Sequence, residues 1–138
     1  MSVPLGLRNN NPGNIRPSKP PWNGTVGENG GFVVFESMLH GIRALAKQLL
    51  AYYDRYKIDT VREAINRWAP SSENDTESYV LFVAHVLEVG PDDELNFRNY
   101  DTLYWLVVAI GEQENGHDAF THTVPDDVIA AGVHAALA

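Results

Sequence analysis

Glutamate 114 is the side chain in this sequence best placed to move a proton. It lies in the stretch Tyr100–Gly116, YDTLYWLVVAIGEQENG, where Leu103, Val107, Ile110 and Glu114 recur at helical spacing. At ~100° per residue these four positions stack along one stripe. The carboxyl therefore sits near the middle of an apolar face, and Glu112 points the opposite way. Desolvation and the negative end of the helix dipole both oppose ionisation there, which is what a general acid working near neutral pH requires. The plainer alternative is a helix end that turns outward, with Glu114 reaching water beside its own cap.

A second group of polar side chains lies near the start of the chain. Residues 8–31, RNNNPGNIRPSKPPWNGTVGENGG, contain Asn9, Asn10, Asn11 and Asn14, with Trp22 close behind. Asn-Pro-Gly, Lys-Pro-Pro and two Asn-Gly pairs argue against a long helix. Two readings fit this composition. The asparagines make Asx-turns in a plain surface loop, or a rigid loop presents amides to a polyhydroxylated ligand beside Trp22 as a flat stacking surface. Glu28 is expected at the tip or rim of the hairpin that follows, where a solvated structural role competes with a catalytic one.

Other chemistries find less support. His40, His85, His117, His122 and His134 are too scattered for a metal motif, and His117 and His122 share a segment without an evident third ligand. No Gly-rich loop follows a strand at phosphate-binding spacing, and no serine has a nucleophile-elbow setting. Carboxylate chemistry is left, with no cofactor or metal called for. Glycoside cleavage is the form that suits asparagine and tryptophan groups lining a groove.

Composition narrows the partners. The 138 residues, 44% of them apolar, predict one domain with a core large enough to need no staples. The absence of cysteine excludes disulfides, thiolate metal sites and cysteine catalysis. A net charge of -8, with ten basic residues in no dense cluster, sets aside nucleic acid and anionic membrane surfaces. The longest apolar run, Leu103–Ile110, falls far short of the ~20 residues of a membrane span. The start, MSVPLGLRNNNPGN, lacks the pattern of a signal peptide, so synthesis in the bacterial cytoplasm is expected.

The elements that must hold these groups are mostly helices. Thr25-Val26 and Phe32–Phe35 flank Glu28-Asn29-Gly30-Gly31, a strong hairpin cue. Ser37 caps an amphipathic helix from Met38 to about Tyr56, with Met38, Ile42, Leu45, Leu49, Tyr52 and Tyr56 on its inner stripe; Gly41 in it marks a close helix approach. Thr60 and Glu63 stand in capping-box relation ahead of a helix that stops before Pro70. Pro70–Thr76 reads as a polar loop whose Glu73, Asn74 and Asp75 either approach a site or serve turns and caps. A helix over about Glu77–Leu87 carries Tyr79, Val83, Val86 and Leu87 inward. Tyr100–Gly116 follows, capped by Asp101 or Thr102, then a loop over His117–Val124. A last helix starts with Pro125 in its first turn and ends near Leu137. The fold class is mainly α (α+β), helical with a small β-hairpin near the N-terminus.

Several segments resemble known families. LRNNNPGNIR (Leu7–Arg16), Trp22-Asn23-Gly24, GGFVVFES, HGIRALAKQLLAYY and TVREAINRWAPSSENDTESYV together resemble a family of phage and prophage proteins described as phage structural proteins or cell-wall lysins. That resemblance covers nearly the whole chain. Ala109–Gly116, AIGEQENG, is similar to the end of the catalytic helix in lysozyme-superfamily transglycosylases, whose pattern closes on Gln-Glu-Ser-Gly. The catalytic glutamate of that pattern falls on Glu114, and Asn115 replaces the serine. NNNPGNIR with Trp22, Gly24, Glu28 and Phe35 resembles the segment after the catalytic helix in flagellar and autolysin glucosaminidases, an Asn-rich loop leading into a hairpin with a second acidic residue. In those relatives the glutamate helix comes first, whereas here it comes last.

What the resemblance implies is a circularly permuted, lysozyme-like domain over residues 1–138, a rearrangement that neighbouring surface termini permit. The implied activity is cleavage of peptidoglycan glycan strands, of lysozyme, lytic transglycosylase or glucosaminidase type, at the periplasmic cell wall or from the virion. Glu114 would be the acid, Glu28 or next Glu36 the second carboxylate, and Asn9, Asn10, Asn11, Asn14 and Trp22 the glycan-binding groups. If no second carboxylate reaches the cleft, the single-glutamate transglycosylase reaction is implied instead. Two alternatives stand beside it: a non-catalytic virion structural or wall-binding protein, and a delivered antibacterial toxin of the same chemistry. Virion proteins or an immunity protein would then be the further partners.

Overall fold

A computed structural model describes residues 3–70 and 75–138. It is mainly helical, with seven helices and one two-stranded antiparallel hairpin among the described residues. In chain order these are α1 (Leu5–Arg8), β1 (Thr25–Asn29), β2 (Phe32–Phe35), α2 (Met38–Tyr56), α3 (Val61–Trp68), α4 (Thr76–Leu87), α5 (Tyr100–Asn115), α6 (His117–Thr123) and α7 (Asp126–Leu137). The expected Glu73 and Asn74 lie outside the described residues.

The hairpin turns on Gly30-Gly31, both at positive φ (65° and 86°), as a two-residue loop of the favoured hand requires. Glu28 is paired with Val33 within β1 and is not at the tip, because the turn needs the two glycines and pushes Glu28 back into the strand. An irregularity between Thr25 and Gly27 leaves Val26 exposed. Val33 and Phe35 point inward and are almost fully buried.

Helix α2 starts where its cap predicts: the Ser37 hydroxyl accepts from the His40 backbone N–H at 3.3 Å. Ile42, Leu45 and Leu49 are completely buried along its inner stripe, and the stripe frays at Tyr56, which is exposed. Its principal partner is α7, and Gly132 makes that contact close, since a Cβ there would lie 2.5 Å from Ile42. Gly41 marks a close approach of a different kind from the helix contact expected of it. A Cβ at that position would fall 1.8 Å from the Asn10 carbonyl oxygen, so the loop backbone lies directly on the helix.

Helix α3 is capped by Thr60, whose Oγ1 accepts from Glu63 N and donates to Glu63 Oε1, both at 3.1 Å, so the Glu63 carboxylate takes the hydroxyl and not the backbone N–H of a full capping box. Asp75 caps α4, accepting from Ser78 N at 3.2 Å. The cap of α5 is Asn99, accepting from Thr102 N at 3.1 Å; the Asp101 and Thr102 side chains belong to the first turn instead. Likewise Pro125 is the N-cap of α7, one position earlier than expected.

Helix α5 runs through the centre, touching α1, α2, α4, α6 and α7. Being surrounded, it buries side chains on nearly every side, from Leu103 to Asn115. Segment His117–Thr123 is helix α6, where a loop was expected. Its one fully buried side chain, Phe120, seats against Gly111, where a Cβ would meet the ring at 2.4 Å. A single anchor leaves no periodic apolar pattern to read. No helix among the described residues is long and apolar enough to cross a membrane.

Candidate functional site

The entry loop is held rigid by its own asparagines. Asn10 and Asn14 both sit at positive φ (54° and 52°), the left-handed conformation that asparagine tolerates better than other side chains. Asn11 is fully buried and works as a clamp. Its amide donates to the carbonyls of Ile15 and Val33, both at 2.9 Å, while its Oδ1 accepts from Ile15 N at 2.9 Å. Asn9 donates to the Asn29 carbonyl at 3.3 Å and accepts from the Asn29 amide at 3.1 Å. Asn10 donates to the Phe35 carbonyl at 3.1 Å. Their amides are thus spent on fastening the loop to the hairpin, and none of Asn9, Asn10 and Asn11 is among the residues that line the groove described below.

Asn14 alone of the four turns toward the end of α5. Its Nδ2 donates to Glu114 Oε1 at 3.0 Å across 100 residues of sequence. The other carboxylate oxygen, Oε2, accepts from the Tyr79 hydroxyl of α4 at 2.9 Å. Burial, and after it the neighbouring Glu114 carboxylate, push the Tyr79 phenol far above its ordinary value, so Tyr79 stays a neutral donor. Asn115 locks the same corner. Its amide donates to the Pro12 carbonyl at 2.8 Å and to Gly111 at 2.9 Å. The expectation of an apolar setting for Glu114 is therefore replaced by a partly buried carboxylate with two fixed donors.

Glu114 opens into a groove of about 710 Å³. The entry loop and hairpin contribute Asn14, Arg16, Trp22 and Phe32; α2 contributes Gln48 and Tyr52; α3 contributes Arg67 and Trp68. The Trp68 ring lies against Gly13, where a Cβ would come within 3.0 Å of it, so the glycine lets loop and helix close up. Trp68 also meets Tyr52 edge-on, ring centres 6.3 Å apart. The result is a trough with aromatic walls, one carboxylate, two arginines and a few amides.

Of the residues singled out from sequence, Glu114, Asn14 and Trp22 come together in this groove. Glu28 does not line it. Residues paired across a ribbon share a face, so Glu28 lies on the side of Val33, opposite to that of groove-lining Phe32. Glu36 is also elsewhere, exposed and 3.4 Å from His40 Nε2. Glu112, expected to point away from Glu114, meets a different neighbour and is buried and paired with His117, because α6 covers that side of α5. Tyr79, Arg16 and Arg67 belong to the site without having been candidates from sequence. Tyr79 was legible only as core, and its one signal was a phenol where a phenylalanine would have packed as well.

No family model matches the sequence. The chain is 36% identical over 122 residues to Protein P5 of Pseudoalteromonas phage PM2, in an alignment spanning 85% of this chain and 74% of that protein. At that identity and coverage the chain belongs to the family of phage PM2 Protein P5 and is a relative of a phage protein.

Proposed function

We propose that this protein cleaves the glycan strands of peptidoglycan, with Glu114 as its general acid. The observation that carries the reading is the carboxylate of Glu114, held by Asn14 and Tyr79 at the floor of a groove walled by Trp22, Trp68 and Tyr52. Asn14 and Tyr79 each occupy one carboxylate oxygen, which fixes the plane of the group. Each oxygen retains a second lone pair, so a proton can still be presented to a bound sugar. Delivered to the glycosidic oxygen, that proton lets the bond break as positive charge develops on the sugar ring.

Among the described residues no second carboxylate lines the groove. A hydrolase of the two-carboxylate type needs a partner within about 5–10 Å to activate water or attack the sugar. The arrangement therefore favours lytic transglycosylation, in which a hydroxyl of the substrate attacks and Glu114 serves first as acid and then as base. The aromatic side chains would hold the strand by stacking. The permuted, lysozyme-like arrangement belongs to this same reading, since it makes the entry loop and the glutamate helix neighbours in space but not in sequence.

The test is digestion of purified sacculi by wild type and Glu114→Gln, followed by mass spectrometry of the released fragments. Glutamine keeps the shape and, through its one oxygen, the Tyr79 contact; its amide nitrogen takes the place of the oxygen that accepts from Asn14, and it has no acidic proton. We expect turnover to fall by roughly a hundred- to ten-thousandfold with the melting temperature within a few degrees of wild type, and anhydro-ended muropeptides from the wild type. Wild-type turnover by the variant removes the assignment. Tight binding of sacculi by the wild type with no soluble fragments would make this a wall-binding protein.

A further inference from the structure

The groove carries positive charge in a protein that is otherwise acidic. Arg16 and Arg67 both line it, while the chain as a whole carries a net charge of -8. Each guanidinium is propped on an aromatic ring. Arg16 lies over Phe32 at 4.8 Å, and Arg67 over Tyr56 at 3.9 Å and Tyr52 at 5.4 Å. Neither forms an ion pair with a carboxylate among the described residues, in contrast to Arg62, which is taken by Asp92 and Glu77, and Arg98, taken by Asp54. Stacking restrains these long side chains before any ligand arrives, and it leaves the edge donors of the guanidinium fork open.

A neutral sugar chain has no use for two such cations, whereas a peptide-substituted strand does. The stems hanging from peptidoglycan end in, and carry along their length, free carboxylates. A guanidinium fork matches a carboxylate in bidentate fashion. Resting on the glycan-cleaving reading above, we propose that Arg16 and Arg67 bind carboxylates of the peptide stems, which makes peptide-bearing strands the substrate and bare glycan a poor one. The same pair offsets the repulsion between an acidic protein and an anionic wall at the one surface where contact is needed.

The experiment measures binding of the Glu114→Gln variant, which cannot turn over its ligand, to three probes by tryptophan fluorescence or calorimetry. These are a peptide-bearing glycan fragment, the same fragment with its carboxyls amidated, and a neutral β-1,4-linked N-acetylglucosamine oligomer. Amidation is expected to weaken binding about tenfold, the size of one lost charged hydrogen-bonding contact. Arg16→Gln or Arg67→Gln should weaken the carboxylate form while leaving the amidated one unaffected. Raising salt should erase the difference. Equal affinity for all three probes, insensitive to both arginine substitutions, would overturn the proposal and leave glycan cleavage standing. Failure to bind any of the three would overturn both. The amidated probe needs no arginine variant, so the conclusion survives if a substitution impairs folding.

Discussion

Replacing Asn11 with alanine separates a brace from a ligand contact. The side chain is fully buried and makes three hydrogen bonds, two donated and one accepted. Truncation leaves the Ile15 N–H without its acceptor, and it takes one of two partners from the Ile15 carbonyl, which still receives Val33 N at 3.0 Å. The Val33 carbonyl loses a donor as well. Stranding a buried donor costs about 1–3 kcal/mol, and weakening two carbonyls adds roughly 1 kcal/mol each, so the sum is about 3–5 kcal/mol. With ~2.1 cal/mol/K of unfolding entropy per residue, a chain of 138 residues loses about 3 °C in melting temperature for each kcal/mol. The expected fall is therefore roughly 10–15 °C. Scanning calorimetry of the wild type and Asn11→Ala reads it directly, and glycan binding measured well below both transitions should be almost unaffected. A shift under about 3 °C together with a large loss of glycan affinity would refute the bracing role and return Asn11 to the binding surface.

Two further outcomes follow from the site and its surroundings. Tyr79→Phe removes only the hydroxyl that holds Glu114 Oε2, so sacculus turnover should drop about tenfold with a melting temperature within a few degrees of wild type, and the pH–rate profile should move; an unchanged rate and profile would take Tyr79 out of the site. Glu112, through its hydrogen bond first and its charge second, holds the His117 imidazolium above the ordinary histidine value. A raised value in the folded state means the pair contributes stability below about pH 6.5 and loses it as pH rises through that higher value. The melting-temperature difference between wild type and His117→Gln should accordingly be positive near pH 6 and shrink as pH rises through the raised value, and a difference that grows with pH would contradict the pairing.

The helices whose buried face is legible in the sequence are those with one wet side. In α2 the spacing of Ile42, Leu45 and Leu49 separates core from solvent, and Ser37 and Thr60 announce their helix starts by caps that need only local geometry. Helix α5 has little such contrast, being wrapped by five other helices, and so Glu112 and Glu114, which meet different neighbours, are both shielded from open solvent. Period locates a side chain around an axis, but what lies at that bearing depends on the neighbours. The asparagines make the same point. Asn11 and Asn14 are identical in type and three residues apart, yet one meets the Ile15 and Val33 carbonyls and the other a carboxylate 100 residues away. Nothing local to Arg67 marks it as part of a site, because the groove beside it is formed by a loop about 50 residues earlier.

The bonds Asn14–Glu114 and Asn115–Pro12 span 100 and 103 residues. On the ribosome, at ~5–20 residues per second, the first half of the site waits on the order of 5–20 s for the second to be made. A nascent or truncated chain ending before residue 114 therefore holds an asparagine loop with nothing to aim at. The Glu114 carboxylate and the loop that orients it meet only once the chain has grown through α5.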